Sequence, residues 1–143
     1  MNIYLNYSIL IIILAFVEYA WMYSNYKLYK LSTEKIQKLP FEVNYYSATL
    51  AYIIVIFSIL FIAIPFTLQH ISKNEEISQK LYKSFIYGGA VGFSIYSTYN
   101  LTSMSVYKNY DMKVAIIDTL WGTFLYTFLT FIFIMNMNVN IKI

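Results

Sequence analysis

Four long runs of apolar residues, each interrupted by only a few polar positions, alternate along this chain with three shorter polar connections. A helix needs about twenty mostly apolar residues to cross the hydrocarbon core of a bilayer, and the runs reach that length at roughly 3–23, 47–68, 85–104 and 114–135. None has the strict alternation of a membrane β-strand, and an open sheet cannot satisfy its backbone in lipid. The pattern predicts an all-α, polytopic integral membrane protein, a four-transmembrane-helix bundle forming a single membrane domain over residues 1–143. The first run begins "MNIYLNYS", without a basic side chain, and lacks a small-residue cleavage site, so it is expected to be a retained helix rather than a secretory signal.

The connections refine this picture. The first, "SNYKLYKLSTEKIQKLPFEVN", predicts a short amphipathic piece at the interface, with Leu28, Leu31, Ile36 and Leu39 toward lipid and its lysines toward water. An even number of spans puts both termini on one side. The opposite side then carries Lys27, Lys30, Lys35, Lys38, Lys108 and Lys113, against Lys73, Lys80, Lys83 and Lys142 on the side of the termini. By the positive-inside rule, the connections 24–46 and 105–113 are expected to be cytosolic. Tyrosines at span ends (Tyr4, Tyr23, Tyr26, Tyr45, Tyr46, Tyr107 and Tyr110) read as an aromatic belt at the headgroup layer.

Composition adds exclusions. Of 143 residues, 59% are hydrophobic and 12% charged, well below the roughly 25% charged residues of soluble domains, so no soluble domain is expected beside the spans. All ten cationic side chains are lysines dispersed among acids, which excludes a nucleic-acid stripe. There is no cysteine, and the one histidine, His70, sits at a span end far from the intramembrane acids. No nucleophile with an adjacent base and no metal-ligand set can be assembled. No cofactor is expected, and binding or transport is favoured over catalysis.

The candidate chemistry lies inside the membrane. "EYAW" sets Glu18 three residues before Trp21, "DTLW" sets Asp118 three before Trp121, and the chain has no other tryptophan. Antiparallel first and last helices place both acids in the same half of the bilayer. Asn100, near the end of the third run, falls in that layer with Tyr99, Thr102 and Ser103, as do Asn44, Ser47 and Thr49 at the start of the second. A charged side chain at a helix centre costs about 2.5 to 3.5 kcal/mol, so such groups face the bundle interior and one another. The expected polar pocket is Glu18, Trp21, Tyr99, Asn100, Thr102, Asp118 and Trp121, with each indole N–H within reach of the acid on the opposite helix. Two close carboxylates are not both cheaply ionised, so one is expected to hold a proton. The alternative is that these polar groups only hold the helices together.

Gly88, Gly89 and Gly92 in "YGGAVGFS" include a G-x-x-x-G strip, which predicts a close helix contact rather than a phosphate loop. Pro65 is expected to kink or end the second span.

The stretch "GGAVGFSIYSTYNLTSMSVYKNYDMKVAIIDTLWGT", with "EYAWM" and "YYSATLAYIIVIF" before it, resembles a family of small four-span membrane proteins catalogued as domain of unknown function two-one-seven-seven, with bacterial and large-DNA-virus members. The resemblance covers nearly the whole chain. It implies that Glu18 stands for an aspartate of the family, that Asn100 replaces an acid, and that Ser103 replaces an asparagine. It carries no established activity. Bacterial members sit near genes for membrane fatty-acid modification, which implies a link to lipids. The first reading of function is therefore a small homo-oligomeric protein for permeation or transport of a proton or cation. The others are a membrane-lipid binding or modification protein, with a lipid headgroup or fatty acid as partner, and a structural or assembly subunit.

Overall fold

The computed structural model describes residues 3–72 and 74–136. Lys73 and Lys142, counted above for orientation, lie outside them. The described chain folds into four helices running up, down, up and down. They are α1, Ile3–Gln37; α2, Tyr45–Leu68; α3, residues 77–106; and α4, Met112–Asn136. Tyr7 near the start of α1 stacks on Phe133 near the end of α4, so the first and last helices are antiparallel.

Helices α1, α2 and α4 are long and apolar enough to cross a membrane. Helix α3 has the length but carries the glycines, serines and threonines of the chain's most polar run. Many of the largest exposed side chains are apolar: Ile12, Phe16, Ile54, Phe61, Leu101 and Leu120 are each more than 60% exposed. Such a shell is a liability in water and the expected outer face in lipid.

Helix α1 departs from expectation. Its 35 residues span about 52 Å at 1.5 Å per residue, well beyond a hydrocarbon core of about 30 Å. The amphipathic piece expected between the first two spans is instead the continuation of this helix, because nothing from Tyr23 to Gln37 breaks it. Lysine, leucine, glutamate and glutamine are good helix formers. The stop comes at Lys38, which takes a left-handed φ of 57° and donates its N–H to the Glu34 carbonyl. Glu34 Oε1 then accepts the Phe41 N–H at 3.0 Å, and Gln37 Nε2 donates to the Leu39 and Pro40 carbonyls, which turns the chain toward α2.

Helix α2 starts at Asn44, whose side chain accepts the Ser47 N–H at 3.1 Å. Pro65 has no N–H to return to the Phe61 carbonyl, and its ring crowds that oxygen. The helix accommodates it with one widened π-type turn over Ile59–Ala63 before α-geometry resumes over Ile64–Leu68. Pro65 therefore sits within the helix.

The densest contact is between α3 and α4. Along α3, Gly88, Gly92, Tyr96 and Asn100 recur every fourth residue and face the fourfold series Thr130, Tyr126, Gly122 and Asp118 of α4, running the other way. This is ridge-into-groove packing of two i+4 rows. A Cβ on Gly88 would lie 2.7 Å from Thr130 Oγ1, and one on Gly92 would run into the Gly122 carbonyl and the Tyr126 side chain. Gly122 returns the favour, its missing side chain making room for the Tyr96 ring. In the half of the bundle holding the termini, Leu10 and Leu14 of α1, Ile59, Ala63 and Ile64 of α2, and Leu125, Leu129 and Phe133 of α4 form the apolar core. Ser58 and Tyr126 hydrogen-bond within it through their hydroxyls.

Candidate functional site

The i+4 row on α4 carries Asp118 one turn before Gly122, and the row on α3 carries Asn100 one turn after Tyr96. The packing that interlocks the glycines thus brings the amide to the acid. Asn100, 1% exposed, donates from Nδ2 to Asp118 Oδ2 at 2.9 Å and to the Tyr96 carbonyl at 2.8 Å. Its Oδ1 accepts from the Tyr110 hydroxyl at 2.7 Å. Tyr110 lies in the turn between α3 and α4, where burial, with the fields of Tyr99 and Asp118 behind it, pushes its phenol up to about 12. It therefore stays a neutral donor across the physiological range.

Helix α1 supplies the other half. Tyr29 donates its hydroxyl to Asp118 Oδ1 at 2.8 Å and accepts from Trp21 Nε1 at 3.1 Å. Trp21 lies flat on Trp121, with ring centroids 4.2 Å apart and planes 2° from parallel. Trp121 donates Nε1–H to Glu18 Oε1 at 2.9 Å, and Tyr52 of α2 reaches Glu18 Oε2 at 3.4 Å. The result is one ladder of polar groups, from Tyr110 at the turn through Asn100, Asp118, Tyr29 and the paired indoles to Glu18. It draws on all four helices and the α3–α4 turn. Glu18 is only 6% exposed. Among the described residues the one ion pair is Lys83 with Glu75, at the far end of the bundle. Every hydrogen-bond partner of the two acids named here is neutral.

Residues 3–135 match the sequence pattern of a family described as "Predicted membrane protein (DUF2177)". The chain belongs to this family. No curated protein and no solved structure matches it.

Of the residues expected in this DUF2177 chain's pocket, the structure brings together Glu18, Trp21, Asn100, Asp118 and Trp121. Tyr99 and Thr102 are exposed instead. With Asn100 pointing inward, its direct neighbour and the residue two on are turned roughly 100° and 200° away, whereas Tyr96 and Ser103 share its face. Asn44, Ser47 and Thr49 are also outside the ladder, the first two forming the α2 cap and the third bonding the Tyr45 carbonyl. Three tyrosines were not anticipated. Tyr29 lies on the part of α1 read as a connection, Tyr110 was assigned to the aromatic belt, and Tyr52 was given no role within the second apolar run. The signal for Tyr29 was present: it follows Glu18 by eleven residues, about three turns, on the same helix face.

Two clefts open from the ladder to the bundle's outer surface. One, about 300 Å³, lies between α1 and α2 and has Glu18 and Tyr52 among walls of Ile11, Leu14, Ala15 and Ile56. The other, about 440 Å³, lies between α3 and α4 and meets Asn100 and Thr119 among Phe93, Leu101, Met104 and Ile116. His70 is at the opposite end, stacked on Tyr87 with its Nδ1 2.8 Å from the Phe66 carbonyl. Among the described residues no cluster of three histidines or acids could hold a metal ion.

Proposed function

We propose that the chain is a small membrane protein that takes up a proton or cation at Glu18 and Asp118 and works as a homo-oligomer in permeation or transport. The observation that carries this reading is the neutral company of the two acids. A buried carboxylate needs a compensating positive charge, and a basic side chain is the usual source. Here tryptophan, tyrosine and asparagine orient the acids without supplying charge, so the charge comes from outside the chain. Serines or threonines would suffice as helix glue at about 0.6 kcal/mol per bond, without the expense of two acids.

What supports an oligomer is where the ladder stops. Past Glu18 one chain offers the apolar packing of Leu10, Leu14, Ile59, Leu125 and Leu129, which is no path for an ion. Glu18 instead opens sideways through the α1–α2 cleft, where a second copy would enclose it. The test is proton flux into proteoliposomes carrying an internal pH dye. Flux should grow more steeply than linearly with protein density and fall at least tenfold in Glu18→Gln and Asp118→Asn. Equal flux in wild type and both variants would return the acids to a structural role.

A second reading, binding of a lipid acyl chain, is favoured by the α3–α4 cleft, whose lining is mostly apolar and includes the buried amide of Asn100. Native mass spectrometry of the purified chain, with Leu101→Trp to fill the cleft, tests it: a retained lipid lost in the variant supports this reading.

A further inference from the structure

The α1–α2 cleft has a chemistry of its own. Its walls are almost wholly carbon, and its floor carries one buried carboxyl, Glu18. Of the two Glu18 oxygens, Oε1 is held by Trp121 at 2.9 Å, while Oε2 has only the long 3.4 Å contact from Tyr52. One oxygen is thus fixed in place and the other only loosely held, in a carboxyl that lines a slot between α1 and α2.

We propose that this cleft binds lipophilic organic cations, molecules that carry a single quaternary or delocalised positive charge inside an apolar, aromatic shell. The proposal rests on the cation reading of Glu18 above and names the class of cation. An inorganic ion is a poor fit, because calcium takes six to eight oxygen ligands and magnesium a full octahedron, whereas the cleft offers one carboxyl and one phenol. An anionic amphiphile meets a carboxyl and no basic group, and a neutral one gains nothing from the acid. A lipophilic cation supplies the missing charge, sheds little hydration and reaches the site sideways from the membrane. Tyr19 and Tyr52, both lining the cleft, are aromatic side chains of the kind that attract such cations. The volume, about 300 Å³, is at the lower end of the range for small-molecule sites, about 300 to 1,000 Å³.

Binding of tetraphenylphosphonium to the full-length chain in detergent, measured by equilibrium dialysis, tests the assignment. Tetraphenylborate, of the same shape and opposite charge, is the comparator. Saturable binding of the phosphonium and none of the borate is expected. Glu18→Gln should weaken it at least tenfold. Ala15→Phe, which fills the cleft and leaves the acid in place, should do the same, while Glu75→Gln, which removes an acid at the far end of the bundle, should stay within about threefold of wild type. Should Glu18→Gln fail to fold, the Ala15→Phe result and the charge comparison decide. Equal uptake of both ions, no saturable binding, or wild-type binding by the folded Glu18→Gln or Ala15→Phe variants would overturn the proposal. Glu18-dependent proton flux without phosphonium binding would remove this proposal and leave the proton reading standing. Phosphonium binding without flux would uphold the site and remove transport.

Discussion

Asn100 and Asp118 meet at 2.9 Å across the α3–α4 contact, in the same register that seats Gly92 against Tyr126 and Gly88 against Thr130. The polar bond and the glycine packing are two parts of one interlock, so a change in either is felt in the other.

Gly92→Ala should be destabilising, because the added methyl meets a backbone carbonyl and an aromatic side chain that cannot withdraw separately. Overpacking of this kind costs about 1 to 3 kcal/mol. Thermal unfolding in detergent should record the loss, with Gly92→Leu giving little folded protein.

Asn100→Asp should also destabilise, by placing a second carboxyl at hydrogen-bonding distance from Asp118. Adding Asp118→Asn exchanges acid and amide across the contact and should recover most of the loss. A double-mutant cycle on melting temperatures checks this, and additive effects would show that the two side chains are uncoupled.

Trp121→Phe removes the donor to Glu18 Oε1 and one half of the indole pair. The cost is expected at about 1 to 3 kcal/mol for leaving a buried acceptor unpaired. Near-ultraviolet circular dichroism should register loss of the coupled indole signal in Trp121→Phe and Trp21→Phe alike, while only the former exposes Glu18.

At the other end of the bundle, hydrogen bonding and charge from Lys83, with the Ser72 N–H, hold the Glu75 carboxyl below its ordinary range. A depressed carboxyl contributes stability that is complete above its unfolded value, near 4.5, and is lost as pH falls through the lower folded value. Hydrogen exchange in the α2–α3 connection should therefore accelerate as pH is lowered below about 4.5, after correction for intrinsic rates. Glu75→Gln should remove that dependence.

The helices and the deep part of the site were legible for different reasons. Long apolar runs announce helices whatever their packing, and an acid among them announces an inward face, so Glu18, Asp118 and their tryptophans stood out. Gly88 and Gly92 did so because a missing side chain has one main use between membrane helices. Tyr29 was hidden because hydropathy ends the first span where lipid ends, whereas the helix ends where its backbone is capped, at Lys38. Tyr99 and Thr102 were misplaced because depth alone was used for them, and helical phase relative to Asn100 turns them outward.

The indole pair has a consequence for how the two acids communicate. An indole N–H can donate but offers no lone pair in return, so the line from Glu18 through Trp121 and Trp21 to Tyr29 cannot pass a proton hop by hop. The two acids are thus protonically insulated from one another along this line. On the proton reading proposed above, each would need its own route to a proton, for Glu18 the α1–α2 cleft.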